Sequence, residues 1–175
     1  RFRISSTRTT TSRSTSRSPA SIRDSSTGAT LKDMTFLTSG YRVVDAMVIG
    51  DEDGDGVREL AVLAIRVSDL RTYVQIKNIA GADNTRSIVF STDLTPMRLK
   101  DLGDSDGNGV TDLAVLAVRE TDLRAVVEIR NAFGEALKRT VQFEALASPL
   151  DMDVLVDPLG IDPPRITVMM FRWPD

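Results

Sequence analysis

Acidic residues recur at alternate positions in one short segment, and their spacing suits the binding of a cation. Asp51, Asp53, Asp55 and Glu59 stand at positions 1, 3, 5 and 9 of a nine-residue loop, with Gly56 at position 6. A glycine there allows the turn that folds alternate side chains onto one centre. Such a set of oxygen ligands suits Ca²⁺, which takes about six to eight, better than Mg²⁺, which demands tighter octahedral geometry.

The same pattern occurs a second time, 53 residues further along the chain. In both loops we expect the backbone carbonyl at position 7 to be a further ligand. The predicted calcium ligands are Asp51, Asp53, Asp55, Val57 and Glu59 in the loop 51–59, and Asp104, Asp106, Asn108, Val110 and Asp112 in the loop 104–112. The alternative is a pair of solvated acidic turns, but carboxylates this close repel one another unless a cation is present.

Two observations limit the metal prediction. A helix–loop–helix calcium site needs a bidentate glutamate at position 12, where this sequence has Val62 and Val115, and both flanks have the pattern of strands. A third copy of the loop begins at Asp157 but has Leu159 and Ile161 in place of the second and third ligands. We predict that this third loop binds no metal.

The loops belong to a repeat that extends along most of the chain. Residues 51–66 match residues 104–119 at eleven of sixteen positions without a gap. Each unit contains a continuous apolar run, such as 60–65, which is typical of a strand buried on both faces, and alternating runs such as 73–77, which are typical of half-buried strands. Four strands in about 50 residues predict an all-β fold of tandem four-stranded, propeller-type blades.

The acidic loop D-x-D-G-D/N-G-x-x-D/E, followed by an L-A-V strand, resembles the FG-GAP/VCBS repeats of integrin α-subunit propellers and of many bacterial surface proteins. The resemblance covers roughly residues 20–172. It implies β-propeller blades in which a structural Ca²⁺, bound by the residues of the loops 51–59 and 104–112, pins the turn between the first two strands of a blade. The small number of blades, the degenerate third loop and an Arg/Ser/Thr-rich head depart from the family pattern.

The repeat divides the chain into five segments. We predict an Arg/Ser/Thr-rich arm or stalk (1–19), a half blade with strands 3 and 4 (20–37), two whole blades (38–91 and 92–146) and a half blade with strands 1 and 2 (147–175). A propeller needs about four blades to close, so this set does not close alone. The complementary halves predict a homo-oligomeric ring or filament formed by strand addition between chains. The competing interpretation is that the chain was cut from a longer propeller.

Composition excludes several kinds of chemistry. The 175 residues include no cysteine and no histidine, which removes disulfides, Cys/His zinc sites, thiol nucleophiles and histidine bases. No apolar run reaches the roughly 20 residues that span a bilayer. Asp69 with Arg71, and Asp122 with Arg124, are conceivable acid–arginine pairs for catalysis, but hairpin turns use such residues routinely. The apolar residues near the C-terminus form a binding patch, part of the core or an exposed seam, and they are Met169, Met170, Phe171 and Trp173.

The first twenty residues carry five arginines, eleven serines or threonines and no acid. This composition predicts disorder when the segment is alone. It fits a flexible linker, a stalk with O-glycans on residues 5–18, or an arm that docks on a neighbouring subunit. We expect no nucleic-acid binding, because no interleaved aromatic residues follow and the rest of the chain is acidic.

Taken with the calcium loops, these patterns favour a non-enzymatic, calcium-stabilised repeat protein for assembly or adhesion, located outside the cell or at its surface. Calcium is abundant enough there to fill weak sites. The alternative is a fragment of a larger β-propeller enzyme or lectin that acts on polysaccharide. That function needs clustered aromatic and acidic residues, and aromatic residues make up only 5% of the chain.

Overall fold

The described part of the chain consists of β-strands and the turns that join them. The computed structural model describes residues 18–23, 26–36, 40–80, 85–134, 136–145, 147–155 and 163–172. No helix occurs among these residues, so the predicted all-β fold is confirmed. The twelve strands are β1 (Ser18–Arg23), β2 (Thr30–Phe36), β3 (Tyr41–Val48), β4 (Glu59–Arg66), β5 (Thr72–Asn78), β6 (Arg86–Val89), β7 (Leu94–Asp101), β8 (Asp112–Arg119), β9 (Arg124–Asn131), β10 (Leu137–Ala145), β11 (Ala147–Leu155) and β12 (Arg165–Arg172).

The strands form two four-stranded sheets and two two-stranded sheets, all antiparallel. The orders β3-β4-β5-β6 and β7-β8-β9-β10 follow the chain, and β1-β2 and β11-β12 flank them in sequence. Antiparallel four-stranded sheets are thus confirmed, whereas their closure into a propeller stays a prediction. The arm up to residue 17, most of the third loop (156–162) and Trp173 lie outside the described residues.

The strand registers repeat with the sequence. The pairings β3–β4, β7–β8 and β11–β12 coincide when shifted by 53 residues, and each shows a register shift at the same place, after Val43, Pro96 and Pro149. The β1–β2 pairing has the register of β5–β6, with Ile22 in the place of Ile76. Each two-stranded sheet therefore has the pairing geometry of half of a four-stranded sheet.

The sheets stack face to face, and β4 is covered on both sides. Leu60 and Val62 on one face of β4 pack with Phe36 of β2. Leu63 on the opposite face packs with Leu113 of β8. Because side chains alternate between the two faces of a strand, a strand packed on both faces needs an unbroken apolar run. This arrangement explains the continuous apolar runs at 60–65 and 113–118.

A polar link joins the bulged first strands of neighbouring sheets. Asp45 of β3 accepts a hydrogen bond through Oδ2 from the backbone amide of Leu99 in β7, at 2.9 Å. One repeat later the same position is Arg98, whose Nε donates to Asp151 of β11 at 3.0 Å. A charged side chain at one repeat position thus ties each bulged strand to the next. The charged residues at positions 45, 98 and 151 were the only indication of this link in the sequence, and the sequence analysis did not use them.

Replacing Leu60 or Leu113 by alanine is expected to lower the free energy of unfolding by about 2–5 kcal/mol. Both side chains are buried, with 1% and 0% of their surface exposed, so each truncation leaves a cavity. Leu31→Ala is the control, because Leu31 is 59% exposed and its truncation should cost no more than about 0.5 kcal/mol. Denaturant unfolding in Ca²⁺ measures all three variants. Losses at Leu60 and Leu113 as small as at Leu31 would contradict the packing described above.

Candidate metal centre

Each acidic loop connects the first and second strands of a four-stranded sheet and is closed at its base by backbone hydrogen bonds. In the first loop, Ile49 N donates to Glu59 O at 2.9 Å, and Glu59 N donates to Gly50 O at 3.2 Å. In the second loop, Leu102 N donates to Asp112 O at 2.9 Å. The loops are therefore anchored to strands that the core holds in place.

The aspartate at position 1 organises each loop. Asp51 accepts hydrogen bonds from Gly54 N at 2.8 Å and from Gly56 N at 2.7 Å. Asp104 accepts the equivalent bond from Gly109 N at 2.7 Å, and this bond is the main reason that the pKa of Asp104 is lowered. Gly56 and Gly109 have φ angles of 85° and 82°, which residues other than glycine rarely adopt. The turn expected at position 6 is present in both loops.

Four carboxylates converge in the first loop. Asp51, Asp53, Asp55 and Glu59 each place one oxygen within 4.8 Å of the others. Glu59 is completely buried, and its Oε2 accepts a hydrogen bond from Glu52 N at 2.8 Å. Its Oε1 has no hydrogen-bond partner in the described part of the chain. A buried carboxylate oxygen without a donor is unfavourable, and a cation among these oxygens would relieve that cost.

The electrostatics of the cluster are consistent with a cation-binding role. Burial raises the pKa of Glu59 above its ordinary value, and the negative charges of Asp53 and Asp51 raise it further. The amide of Glu52 and the positive charge of Arg86 act in the opposite direction without cancelling the rise. Glu59 is therefore harder to ionise than a free glutamate when no cation is bound.

Lowering the pH is expected to stabilise the metal-free protein through Glu59. Because the folded-state pKa of Glu59 lies above its ordinary value of 4.5, the folded state binds this proton more tightly than the unfolded state. Stability therefore falls as the pH rises through the interval between the two pKa values, and it is regained as the pH falls. In EGTA, Glu59→Gln should be more stable than wild type at neutral pH, and this advantage should shrink as the pH falls through the raised pKa toward the ordinary value of 4.5.

Thermal melts of wild type and Glu59→Gln across this pH range measure the difference. Asp69 does not contribute to this pH dependence, because its pKa is lowered to about 2 and it stays ionised throughout the pH range of the melts. If Glu59→Gln is less stable than wild type in EGTA at neutral pH, the charge of Glu59 does not destabilise the metal-free fold.

The second loop shares the backbone geometry of the first but not its cluster of carboxylates. Asn108 replaces one acid, and Lys138 of β10 reaches the loop. The Lys138 Nζ lies 2.6 Å from Asp106 Oδ2 and 2.7 Å from Asp112 Oδ1. Asp112 is completely buried and also accepts a hydrogen bond from the hydroxyl of Ser105. Within the described ranges only the first loop gathers three or more carboxylates this closely, so a second calcium site stays a prediction.

The predicted carbonyl ligands occupy equivalent places in the two loops. Val57 N donates to Asp55 Oδ1 at 2.8 Å, and Val110 N donates to Asn108 Oδ1 at 2.9 Å. These bonds fix the side chain at position 5 in both loops. The role of the Val57 and Val110 carbonyls as ligands stays a prediction, as does the expectation that the loop at Asp157, which lies outside the described residues, binds no metal.

Two side chains that the sequence analysis missed support the first loop. Asn78 of β5 is completely buried; its amide nitrogen donates to Asp55 Oδ2, and its oxygen accepts from Ala80 N at 2.6 Å. Glu52 accepts a hydrogen bond through Oε2 from Thr111 N at 3.0 Å, which joins the first loop to the second. The recurrence of asparagine 53 residues after Asn78 was an available signal. Nothing in the local pattern indicated the contact of Glu52.

The predicted acid–arginine pairs lie in hairpin turns, where Arg71 Nε is 3.7 Å from Asp69 Oδ2 and Arg124 Nε is 3.3 Å from Asp122 Oδ2. Each aspartate has a closer arginine partner that the sequence analysis did not pair with it. Arg66 Nε donates to Asp69 Oδ1 at 2.8 Å in the β4–β5 turn, and Arg119 Nε donates to Asp122 Oδ1 at 2.9 Å in the β8–β9 turn. The hydrogen bond from Arg66 is the main cause of the lowered pKa of Asp69. Leu70, next in the chain, has a φ of 57°. These partly exposed ion pairs fix the shape of a turn and contribute little to stability.

No protein-family model, curated protein or solved structure matches the chain. The similarity to FG-GAP/VCBS repeats therefore depends on the loop residues and their spacing, and membership of that family stays a prediction. The described residues include no helix that is long and apolar enough to cross a membrane.

Proposed function

We propose that this protein is a non-enzymatic, calcium-stabilised β-repeat protein that serves assembly or adhesion outside the cell or at its surface. One observation carries the proposal: the completely buried Glu59 has an oxygen without a hydrogen-bond partner in the described chain, and this carboxylate belongs to the cluster with Asp51, Asp53 and Asp55. A Ca²⁺ bound by these four side chains and the Val57 carbonyl would satisfy that oxygen.

The chemistry of the ligands favours calcium and a structural role. All proposed ligands are oxygen atoms on a loop closed by glycine turns, which suits the larger and more variable coordination shell of Ca²⁺. Five of the roughly six to eight positions around such an ion would be protein oxygens, and the chain has no histidine to act as a base beside it, which argues against catalysis at the metal. Extracellular calcium modules function with dissociation constants of about 10⁻⁴ to 10⁻³ M, and such sites would be largely empty in cytosol.

Isothermal titration calorimetry tests the calcium proposal. The wild-type chain should bind Ca²⁺, and Asp53→Ala should abolish binding at the first loop. Asp106→Ala should abolish binding at the second loop. Asp33→Ala is the matched control, because Asp33 is an aspartate of β2 that accepts a hydrogen bond from Ser21 and belongs to neither loop. The proposal fails if the wild type does not bind Ca²⁺, or if Asp53→Ala binds it as the control does.

A second part of the proposal concerns assembly through the two-stranded sheets. Among the described strands, β12 pairs only with β11, and β1 pairs only with β2. The counterparts of β12 and β1 in the first four-stranded sheet are β4 and β5, which pair with each other. The β12 strand of one chain and the β1 strand of the next would therefore complete a four-stranded sheet, which would remove two open sheet edges.

Exposed apolar side chains on the β11–β12 sheet support the same assembly. Met169 and Phe171 are 63% and 46% exposed. Two repeats earlier, these positions are Leu63 and Ile65, which are 0% and 5% exposed. Leu63 packs against the sheet that follows it. The next sheet in an assembly would come from a second copy of the chain, and it would cover Met169 and Phe171 in the same way.

Such contacts are head to tail, so they close into a ring or continue as a filament. We favour the filament, in which the Arg/Ser/Thr-rich arm (1–19), with or without O-glycans on residues 5–18, would act as a tether along neighbouring chains. The alternative function, a fragment of a propeller enzyme or lectin, predicts binding or cleavage of polysaccharide. Glycan-binding assays and an activity screen on the full chain distinguish the two functions.

A further inference from the structure

The two acidic loops have nearly the same backbone but different charge. The first contains four converging carboxylates, and the calcium proposal supplies their cation from solution. The second contains three carboxylates and one amide, and the chain itself brings a cation to it. The ammonium of Lys138 lies within 2.7 Å of one oxygen of Asp106 and one oxygen of Asp112. The second loop is therefore partly neutralised by its own protein.

The lysine is specific to the second repeat. Arg139 pairs with Ile129 in the register in which Arg86 pairs with Ile76, so Lys138 is the counterpart of Thr85. Threonine carries no charge, and no lysine stands at that position in the first repeat. The loops thus differ in their own ligands, where Asn108 replaces Asp55, and also in a lysine that comes from a strand outside the loop.

We propose that Lys138 acts as the resident cation of the second loop and that Ca²⁺ binds there only after displacing it. This inference rests on the calcium function proposed above. Oδ1 of the buried Asp112 accepts no hydrogen bond in the described chain, but Lys138 Nζ lies 2.7 Å from it as an ion-pair partner, and Oδ2 accepts a hydrogen bond from the Ser105 hydroxyl. In the first loop, by contrast, the buried Glu59 forms no ion pair among the described residues, although the positive charge of Arg86 lies near enough to act on it.

The surroundings of Lys138 allow the exchange. A cavity of about 510 Å³ adjoins its side chain, and Leu102, Ser105, Asp106 and Pro163 are among the residues that line it. The ammonium can move into this open space while its carboxylate partners turn to an ion. The two loops should therefore fill in order as calcium rises, the first loop at lower concentration and the second only when Ca²⁺ competes successfully with the lysine.

Calorimetric titration with Ca²⁺ in an Asp53→Ala background tests this inference at the second loop alone. Adding Lys138→Met should strengthen binding at least about tenfold, because a single charge-assisted hydrogen bond that no longer has to be broken corresponds to roughly that factor. Lys32→Met, in the same background, is the matched control: it removes the same charge from a lysine of β2 that donates to the carbonyl of Ala80. The control should leave the affinity unchanged.

A second readout is the melting temperature, measured first without calcium and then with it. In EGTA, Lys138→Met should melt at a lower temperature than Lys32→Met, because it leaves the buried Asp112 without its cation, and added Ca²⁺ should restore the loss. Equal affinity of the second loop in the Lys138→Met and Lys32→Met proteins, beside normal binding at the first loop, overturns the inference and leaves the calcium function intact. Absence of Ca²⁺ binding in the wild type and in every variant overturns both.

Discussion

Removing calcium is expected to lower the melting temperature of this protein by roughly 5–10 °C for each filled site. An ion that binds only the folded state stabilises it by about 2.7 kcal/mol when its concentration is 100 times the dissociation constant. The first loop should contribute most of the effect, since burial and neighbouring charges destabilise the ionised Glu59 when no metal is bound. Scanning calorimetry in saturating Ca²⁺ and in EGTA measures the shift.

The loop variants identify the source of this stabilisation. Asp53→Ala should lose the shift that belongs to the first loop, while Asp33→Ala, which changes an aspartate outside both loops, should retain the whole shift. In EGTA, wild type and Asp33→Ala should both show the lower melting temperature. An unchanged melt of the wild type on addition of EGTA would contradict a structural role for calcium.

Deleting residues 1–37 is expected to abolish assembly of the chain into high-mass species. The deletion removes β1 and β2, which the proposed contact adds to the free edge of β12 in a neighbouring chain. Sedimentation velocity of the full chain in Ca²⁺ should show ring or filament species, and the deletion variant should sediment as a monomer. Persistence of the same high-mass species after the deletion would show that strand donation is wrong.

The deletion also uncovers the face of β4 that packs with Phe36, so it could impair folding as well as assembly. A surface variant tests assembly without this effect on folding. Met169→Lys with Phe171→Lys changes two exposed side chains, so the melting temperature of the monomer should change little while assembly is lost. Leu123→Lys is the control, since Leu123 is 57% exposed in a hairpin turn and lies outside the proposed contact. Equal assembly of the double variant and the control would contradict the contact.

Sequence predicted the features that depend on neighbouring residues. The spacing of Asp51, Asp53 and Asp55 with Gly56 predicted a turn that gathers carboxylates, and both the turn and the cluster are present. The continuous apolar run predicted that Leu60 would be buried, and 1% of its surface is exposed. Both features follow from local chemistry: a glycine with positive φ permits a tight turn, and a strand packed on both faces is apolar throughout.

Contacts between distant parts of the chain were not predictable in the same way. Lys138 reaches the second loop because β10 runs beside β9. The only sequence indication of this contact is that the equivalent residue of the first repeat, Thr85, is uncharged. The link between Asp45 and Leu99 needs the face-to-face stacking of two sheets, which periodicity within one strand does not determine. The sequence therefore predicted which residues could bind metal, but it did not reveal that the two loops differ.

The central claim is that the loop 51–59 holds a Ca²⁺, and native mass spectrometry of the full chain tests it most directly. At low free calcium, the wild-type chain should carry one additional calcium ion, which EGTA removes, and Asp53→Ala should carry none. A second ion should be added only at higher calcium. A wild-type chain that carries no calcium in its presence, or an Asp53→Ala chain with the same number of ions at low calcium as the wild type, would contradict the claim.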